Sequence, residues 1–212
     1  MPRDGSKTKQ KILDAAYALL LENGLQGSSI ERIVEHARIT KGSFFYHFSD
    51  KDALLLALVE RFALADRNHF FETLERVDRM SGDDPLERLL LFISLFIDQF
   101  SSLSDTYPGC LYASYLYQQG AITPKALVVI RKAILFWRTQ ISTLVDATRQ
   151  KYPPVRNVDT ESLADLFTTI IEGAFIVSKT LEEKLLIADQ LKHYRSYIEL
   201  LFRSNQYRPN LA

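Results

Sequence analysis

Apolar residues recur three and four positions apart along almost the whole chain, which is the period of an amphipathic α-helix. One example runs from Leu89 to Phe100, where Leu89, Phe92, Phe96 and Phe100 fall on one helical face. No two alternating apolar runs are joined by a hairpin dipeptide such as Asn-Gly. The pattern therefore predicts an all-α protein.

Residues that favour helix starts divide the chain into about nine helices. The predicted N-terminal caps are Ser28 (with Glu31 as a capping box), Thr40, Ser49, Asp84, Thr123, Asp159 and Thr180 (with Glu183 as a second capping box). The predicted helices lie near residues 7–23, 29–36, 41–47, 50–79, 85–104, 107–118, 124–150, 160–178 and 181–204.

The predicted helices differ in size along the chain. The first three are short and closely spaced, whereas the remainder are long and carry wide apolar faces. We therefore expect a small three-helix domain in residues 1–50 and a larger helical bundle in residues 51–212. The helix near 50–79 would join them.

Two short helices in residues 28–48 are separated by about four residues, which is the spacing of a helix-turn-helix. The second helix of that motif places its N-terminal residues in the major groove of DNA. Lys41 can donate to guanine or phosphate, Gly42 permits close approach, and Ser43 can pair with several bases. Tyr46 and His47 carry polar tips that suit phosphate oxygens.

Further residues in this segment suit an anionic partner. Ser28, Ser29 and Thr40 lie at predicted helix starts, where the helix dipole favours anions. Lys51 is poorly placed for the dipole of its own helix, so a phosphate partner explains it better. Nearby basic residues are Arg3, Lys7, Lys9 and Lys11. Each residue alone has an ordinary structural explanation, and it is the combination that indicates DNA binding.

In this segment the chain resembles the TetR/AcrR family of bacterial transcriptional regulators. The resemblance spans about residues 8–56 and is carried by Ile12, Leu13, Ala16, Gly24, Ser29, Ile30, Ile33, Ala37, Ile39, Thr40, Lys41, Gly42, Ser43, Tyr46, His47, Phe48, Lys51 and Leu54. It implies a DNA-binding helix-turn-helix domain followed by a ligand-binding and dimerisation bundle. It further implies a homodimer that represses from a palindromic operator and is released by a small-molecule inducer.

The chain departs from the family pattern at two positions. The family usually has glycine where this chain has Arg38, and tyrosine where it has Phe45. A left-handed backbone at Arg38 would cost about 1 kcal/mol relative to glycine, and a contact with DNA would offset that cost. Phe45 lacks a hydroxyl for phosphate, which leaves that role to Tyr46. Both Arg38 and Phe45 remain among the predicted DNA-facing residues.

The last two predicted helices are candidates for the dimer surface. Gly173 and Ala174 would allow close approach of another helix. The final helix carries a wide apolar stripe, formed by Leu185, Ile187, Leu191, Tyr194, Ile198 and Leu201. Packing inside one chain explains the stripe equally well, but the resemblance favours a homodimer through these helices.

Aromatic residues are concentrated in the middle helices. Phenylalanines at helical spacing usually form a core, but buried tyrosine hydroxyls need partners, and ligand pockets combine apolar walls with a few polar groups. We therefore predict a pocket for an apolar or aromatic inducer. Its predicted lining is Phe92, Phe96, Phe100, Tyr107, Cys110, Tyr115, Phe136 and Trp137.

Cys110 supports an alternative control mechanism. It stands at a predicted helix start, where the dipole lowers a thiol pKa and favours reaction with oxidants or electrophiles. Some members of the family sense such agents through a cysteine in a similar Gly-Cys-Leu setting. A buried and inert thiol is the simpler explanation.

The amino-acid composition excludes several classes of protein and of site. The 26 basic and 26 acidic residues exclude a globally basic protein, and one cysteine excludes an intramolecular disulfide or a Cys-rich zinc site. The polar start lacks a signal-peptide core, so we expect a cytoplasmic protein. No catalytic triad, metal-ligand spacing or phosphate-binding loop is present, so we expect neither an enzyme nor a bound metal or cofactor. An architectural DNA-binding protein without an inducer remains an alternative.

Overall fold

The computed structural model describes residues 5–24, 27–117 and 123–203. Within these ranges the chain forms nine α-helices and no strand, which confirms the predicted fold class. The helices are α1 Gly5–Asn23, α2 Ile30–His36, α3 Lys41–His47, α4 Lys51–Met80, α5 Pro85–Ser101, α6 Leu111–Leu116, α7 Pro124–Lys151, α8 Thr160–Leu181 and α9 Leu186–Arg203. Arg3 and the predicted helix ends at 118 and 204 lie outside the described residues.

Four predicted caps are confirmed. Thr40, Asp84, Thr123 and Asp159 each accept a hydrogen bond from a backbone N–H in the first turn, at 2.7–3.2 Å. Pro85 and Pro124 each occupy the first position of their helix. The helix starts that follow these residues were predictable because a cap and a first-turn proline are local features of the sequence.

Two predicted caps are wrong by one residue. The hydroxyl of Ser29, not that of Ser28, accepts from the N–H of Arg32 and caps α2. Asp50, not Ser49, caps α4, and Ser49 instead donates to the Asp50 carboxylate at 2.9 Å. A charged carboxylate is a stronger acceptor than a hydroxyl, which explains why Asp50 takes the capping position.

The predicted capping box at Thr180 is wrong. Helix α8 continues through Thr180 to Leu181, and the Thr180 hydroxyl donates to a carbonyl one turn earlier. The helix ends because Glu182 adopts a left-handed conformation, with φ +57°. Helix α9 accordingly begins at Leu186, five residues later than predicted.

Contacts divide the described residues into two units. The first unit takes its residues from 1–66 and 108–133, so it contains α1, α2, α3, α6 and parts of α4 and α7. The second takes its residues from 67–107 and 134–212, so it contains α5, α8, α9 and the other parts of α4 and α7. The predicted functional boundary at residue 50 stays a prediction.

The first unit is built around α1, which packs against α2, α3 and α6. Its core includes Ile12, Ile33 and Phe44, each fully buried. In the second unit α9 packs against α5 and α8, and the Tyr194 hydroxyl donates to the Leu163 carbonyl at 2.9 Å. None of the helices described is both long enough and apolar enough to cross a membrane.

Candidate nucleic-acid interface

The turn between α2 and α3 is closed by two backbone hydrogen bonds. The N–H of Arg38 donates to the Glu35 carbonyl at 3.0 Å, and the N–H of Ile39 donates to the Val34 carbonyl at 3.1 Å. This pair of bonds is a Schellman motif, in which the first residue beyond the helix end is left-handed. Arg38 has φ +53°, which is a left-handed backbone conformation.

Helix α3 is held by the burial of two rings. Phe44 and Phe48 are in the core, with ring centroids 5.9 Å apart. Burial of this side turns the neighbouring rings outward, so Phe45 is 47% exposed and Tyr46 is 82% exposed. An aromatic side chain as exposed as that of Tyr46 contributes little to folding and is available to a partner.

Gly42 lies on the exposed side of α3. A Cβ added there would approach within 4 Å only of the Thr40 side chain, at 3.9 Å. The fold itself therefore has room for a side chain at this position. A glycine that packing does not require leaves space for close approach of another molecule.

Lys41 forms an ion pair in the structure. Its Nζ donates to Oε1 of Glu31 at 2.9 Å, and this hydrogen bond holds the pKa of Glu31 below its ordinary value. Both side chains are well exposed, so the pair is weak and Lys41 can exchange partners. Sequence reasoning missed Glu31 in this role, because the two residues meet only once α2 and α3 are packed.

The two hydroxyls at the start of α3 are close together. Thr40 Oγ1 accepts from the Ser43 N–H at 3.1 Å and lies 2.9 Å from Ser43 Oγ. At the other end of α3 the Tyr46 and His47 rings meet edge to face, with centroids 4.9 Å apart. The structure therefore places the predicted residues of α3 on one short helix, with both ends carrying polar groups.

Three predicted residues lie at the margins of this surface. Ser28 is 1% exposed and donates to the Gly24 carbonyl at 2.7 Å, which argues against the predicted contact of its side chain with DNA. Ser29 is partly exposed, but its hydroxyl is occupied in capping α2. Lys51 is half-buried at the start of α4, and that burial lowers its pKa.

Comparison with known proteins matches this part of the chain to a family. The profile described as "Bacterial regulatory proteins, tetR family" covers residues 12–58, which include α2, the turn and α3. The helix-turn-helix region of the chain belongs to the TetR family. The protein is a DNA-binding transcriptional regulator with the helix-turn-helix in its N-terminal region.

Similarity to individual proteins extends beyond residues 12–58. The transcriptional regulator AcuR of Cereibacter sphaeroides is 24% identical over 83% of this chain and 78% of its own length. The transcriptional repressor NemR of Escherichia coli K12 is 29% identical over 49% of this chain and 50% of its own.

Two solved structures show the same fold. A TetR regulator from Chloroflexus aurantiacus has a TM-score of 0.77 at 24% identity, covering 94% of this chain and 98% of that one. The reduced form of E. coli NemR has a TM-score of 0.73 at 18% identity, covering 97% and 100%.

Four of the predicted ligand-binding residues share one aromatic cluster in the second unit. Phe92, Phe96, Phe136 and Trp137 pack with two rings that sequence reasoning missed, Phe70 and Phe167. Neighbouring ring centroids are 5.1–6.5 Å apart. A second group joins two further predicted residues, Phe100 and Tyr107, to Phe175.

The other two predicted ligand-binding residues belong to the first unit. Tyr115 is almost fully buried, and this burial raises its pKa. Cys110 is buried and precedes α6, but its side chain makes no capping hydrogen bond. The predicted pocket residues are thus divided between the two units, and a helix-by-helix sequence pattern could not reveal this division.

The predicted apolar stripe on α9 is mostly core. Ile187, Leu191, Tyr194, Ile198 and Leu201 are buried within the single chain, so five of the six stripe residues are not free for a dimer contact. Apolar residues are also exposed on the outward sides of α8 and α9. They are Leu166, Ile176, Val177 and Leu181 on α8, Tyr197 and Leu200 on α9, and Leu185 in the turn before α9.

Proposed function

We propose that this protein is a repressor that binds a palindromic operator as a homodimer and leaves it when a small molecule binds. The observation that carries the proposal is the outward surface of α3, where Tyr46 is 82% exposed while Phe44 holds the helix in the core. The DNA contacts would come from Arg38, Thr40, Lys41, Gly42, Ser43, Phe45, Tyr46 and His47, with Ser29 and Lys51 at the margin.

A homodimer is supported by the outward apolar face of α8 and α9. Ile176 is 58% exposed and Leu200 is 67% exposed, so each leaves apolar surface in water that a second copy could cover. Gly173 is also exposed, and an added Cβ there would meet no atom within 4 Å. A second copy packed on this face would bury these side chains and present two recognition helices to two half-sites.

The inducer would be apolar or aromatic, since the aromatic cluster of the second unit supplies the apolar surface that such ligands need. Helix α4 contributes residues to both units, which makes it the natural element to couple ligand and DNA binding. The ligand must bind more tightly to the state with low DNA affinity, because only differential affinity shifts such an equilibrium.

The experiment compares wild type with the double variant Lys41→Ala/Tyr46→Ala on DNA from the region upstream of its own gene. We expect the variant to lose specific binding while its helical content and oligomeric state stay unchanged. A control variant, Lys184→Ala/Tyr117→Ala, removes one exposed lysine and one exposed tyrosine outside the helix-turn-helix and should bind like wild type. Equal binding by all three proteins would refute the assignment of α3.

A second form of control is supported by the likeness to NemR, whose structure is described as a reduced form. In this version Cys110, at the start of α6, reacts with an oxidant or electrophile and the reaction releases DNA. Cys110→Ser should then bind DNA normally but resist release by hydrogen peroxide. Equal release of wild type and variant would exclude the cysteine.

Neither release by an inducer nor release through Cys110 involves catalytic turnover by this protein. If the aromatic cluster takes up no apolar compound and no oxidant releases DNA, an architectural role without an inducer becomes the better account. Binding at many genomic sites, measured by chromatin immunoprecipitation, would support that role. Steady turnover of a substrate by the purified protein would contradict all three.

A further inference from the structure

The turn of the helix-turn-helix holds a non-glycine residue in a left-handed backbone conformation. Arg38 occupies the left-handed position of the Schellman motif, a position that usually holds glycine because a Cβ is disfavoured there. Among the described residues, Arg38 and Glu182 are the two non-glycine residues with positive φ. The hydrogen bonds that close the turn fix this conformation, so the arginine is held in it.

The position of Arg38 makes its side chain available for a contact with DNA. It is exposed, it carries a positive charge, and it lies two residues before Thr40, which caps the recognition helix. Backbone strain of this kind persists mainly where the residue serves function. A guanidinium is well suited to phosphate because its fork of N–H donors can engage two oxygens together.

We propose that the DNA ligand of Arg38 is a backbone phosphate beside the groove that α3 enters, to which its guanidinium donates. The inference rests on the proposed function and adds a specific trade-off to it. The chain accepts a less stable turn in exchange for a phosphate contact. Glycine at this position would relieve the backbone strain but would give up the charge.

The test measures stability and DNA affinity in the same variants. Arg38→Gly removes the strain and the charge, Arg38→Ala removes the charge but keeps the strain, and Arg38→Lys keeps both. Glu182→Gly is the matched control, because it relieves the same backbone conformation at the end of α8, outside the helix-turn-helix. The probe is a labelled DNA duplex of mixed sequence, titrated over a salt series, so that the operator need not be known.

We expect Arg38→Gly to raise the Tm by about 2–4 °C and to weaken DNA binding by about sixtyfold at 0.1 M salt, the effect of two lost phosphate contacts, one from each subunit of the dimer. The slope of log affinity against log salt should fall in magnitude by about 1.8. Arg38→Ala should weaken binding equally without the gain in Tm, and Arg38→Lys should keep most of the slope. Glu182→Gly should raise the Tm and leave binding unchanged.

The outcomes separate the inference from the function on which it rests. If wild type does not bind the duplex, the proposed function fails. If wild type binds and both Arg38→Gly and Arg38→Ala bind as tightly as it does with the same salt slope, Arg38 is not a DNA ligand and the inference is overturned.

Discussion

At the scale of single residues, Lys41 is a predicted DNA contact that already has a partner within the chain. Its ammonium group is held by Glu31 in the absence of DNA. An exposed ion pair contributes little to stability because water and salt screen it. The ion pair nevertheless places the Glu31 carboxylate beside the Lys41 ammonium group, which would meet a phosphate of the DNA. If Lys41 binds a phosphate as proposed, Glu31 competes with DNA for Lys41 and repels the DNA backbone.

Replacing Glu31 by glutamine should tighten DNA binding by about two- to tenfold at low salt, because Lys41 loses a competitor and the surface loses a negative charge. The pKa of Glu31 is lowered by the hydrogen bond from Lys41, so the pair exists above that pKa and is lost as the pH falls through it. Wild type should therefore approach the variant in affinity under acid conditions, as measured by fluorescence anisotropy against pH.

Glu35→Gln is the control for this prediction. Glu35 is an exposed carboxylate on the same helix, but its side chain is not the partner of Lys41. Its replacement should give a smaller gain in affinity and no such dependence on pH. Equal effects of the two substitutions would mean that only net charge matters.

At the scale of helices, capping side chains decide where most elements begin. The Asp84 carboxylate accepts two backbone N–H groups of α5 and also receives hydrogen bonds from Lys151 and Tyr152 at the end of α7. Burial alone would raise the pKa of Asp84, but the hydrogen bonds from Lys151 and Tyr152 hold it well below its ordinary value. One aspartate thus fixes both a helix start and the approach of a second helix.

Asp84→Ala should lower the free energy of unfolding by about 1–2 kcal/mol at neutral pH, since a cap and its partners are lost together. The folded pKa is depressed, so the contribution of Asp84 is present above its unfolded pKa and declines below about pH 4. The stability difference between wild type and variant should shrink accordingly in urea unfolding at decreasing pH. Asp83→Ala, at the exposed neighbouring residue, should change little; a loss as large as that at position 84 would contradict the capping role.

The sequence could predict helix starts better than helix ends. Asp84-Pro85 and Thr123-Pro124 are local signals, and both starts were correct. The end of α8 was not predictable, because Glu182 takes a left-handed conformation that glycine would normally signal. The same difficulty applied to Arg38, where only the family's glycine suggested the conformation that the structure shows.

At the scale of the whole molecule, packing distinguishes the apolar residues that form the core from those that stay exposed and can form a dimer contact. The sequence showed an apolar stripe on α9 but could not show that α5 and α8 already cover it. The outward face of α8 and α9 became visible only from the packing, because its residues are mixed with polar ones along the chain. The aromatic cluster was partly predictable, whereas Phe70 and Phe167 were missed because they lie on helices not considered for the pocket.

Ile176→Glu should separate the proposed dimer and reduce specific DNA binding by two orders of magnitude or more, because a buried unpaired charge opposes association. The side chain is exposed in the single chain, so the fold should remain intact. Met80→Glu, at a similarly exposed apolar residue at the end of α4, should stay dimeric. Sedimentation of both variants measures this, and an unchanged dimer with Ile176→Glu would place the interface elsewhere.

The most direct test of the central claim is selection of binding sites from a pool of random DNA duplexes, followed by a salt titration of the enriched sequence. The account predicts two inverted half-sites, and an affinity that falls by about a thousandfold or more between about 50 and 200 mM salt. Failure to enrich any sequence, or enrichment of a single half-site by a monomer, would contradict the account of a dimeric operator-binding repressor.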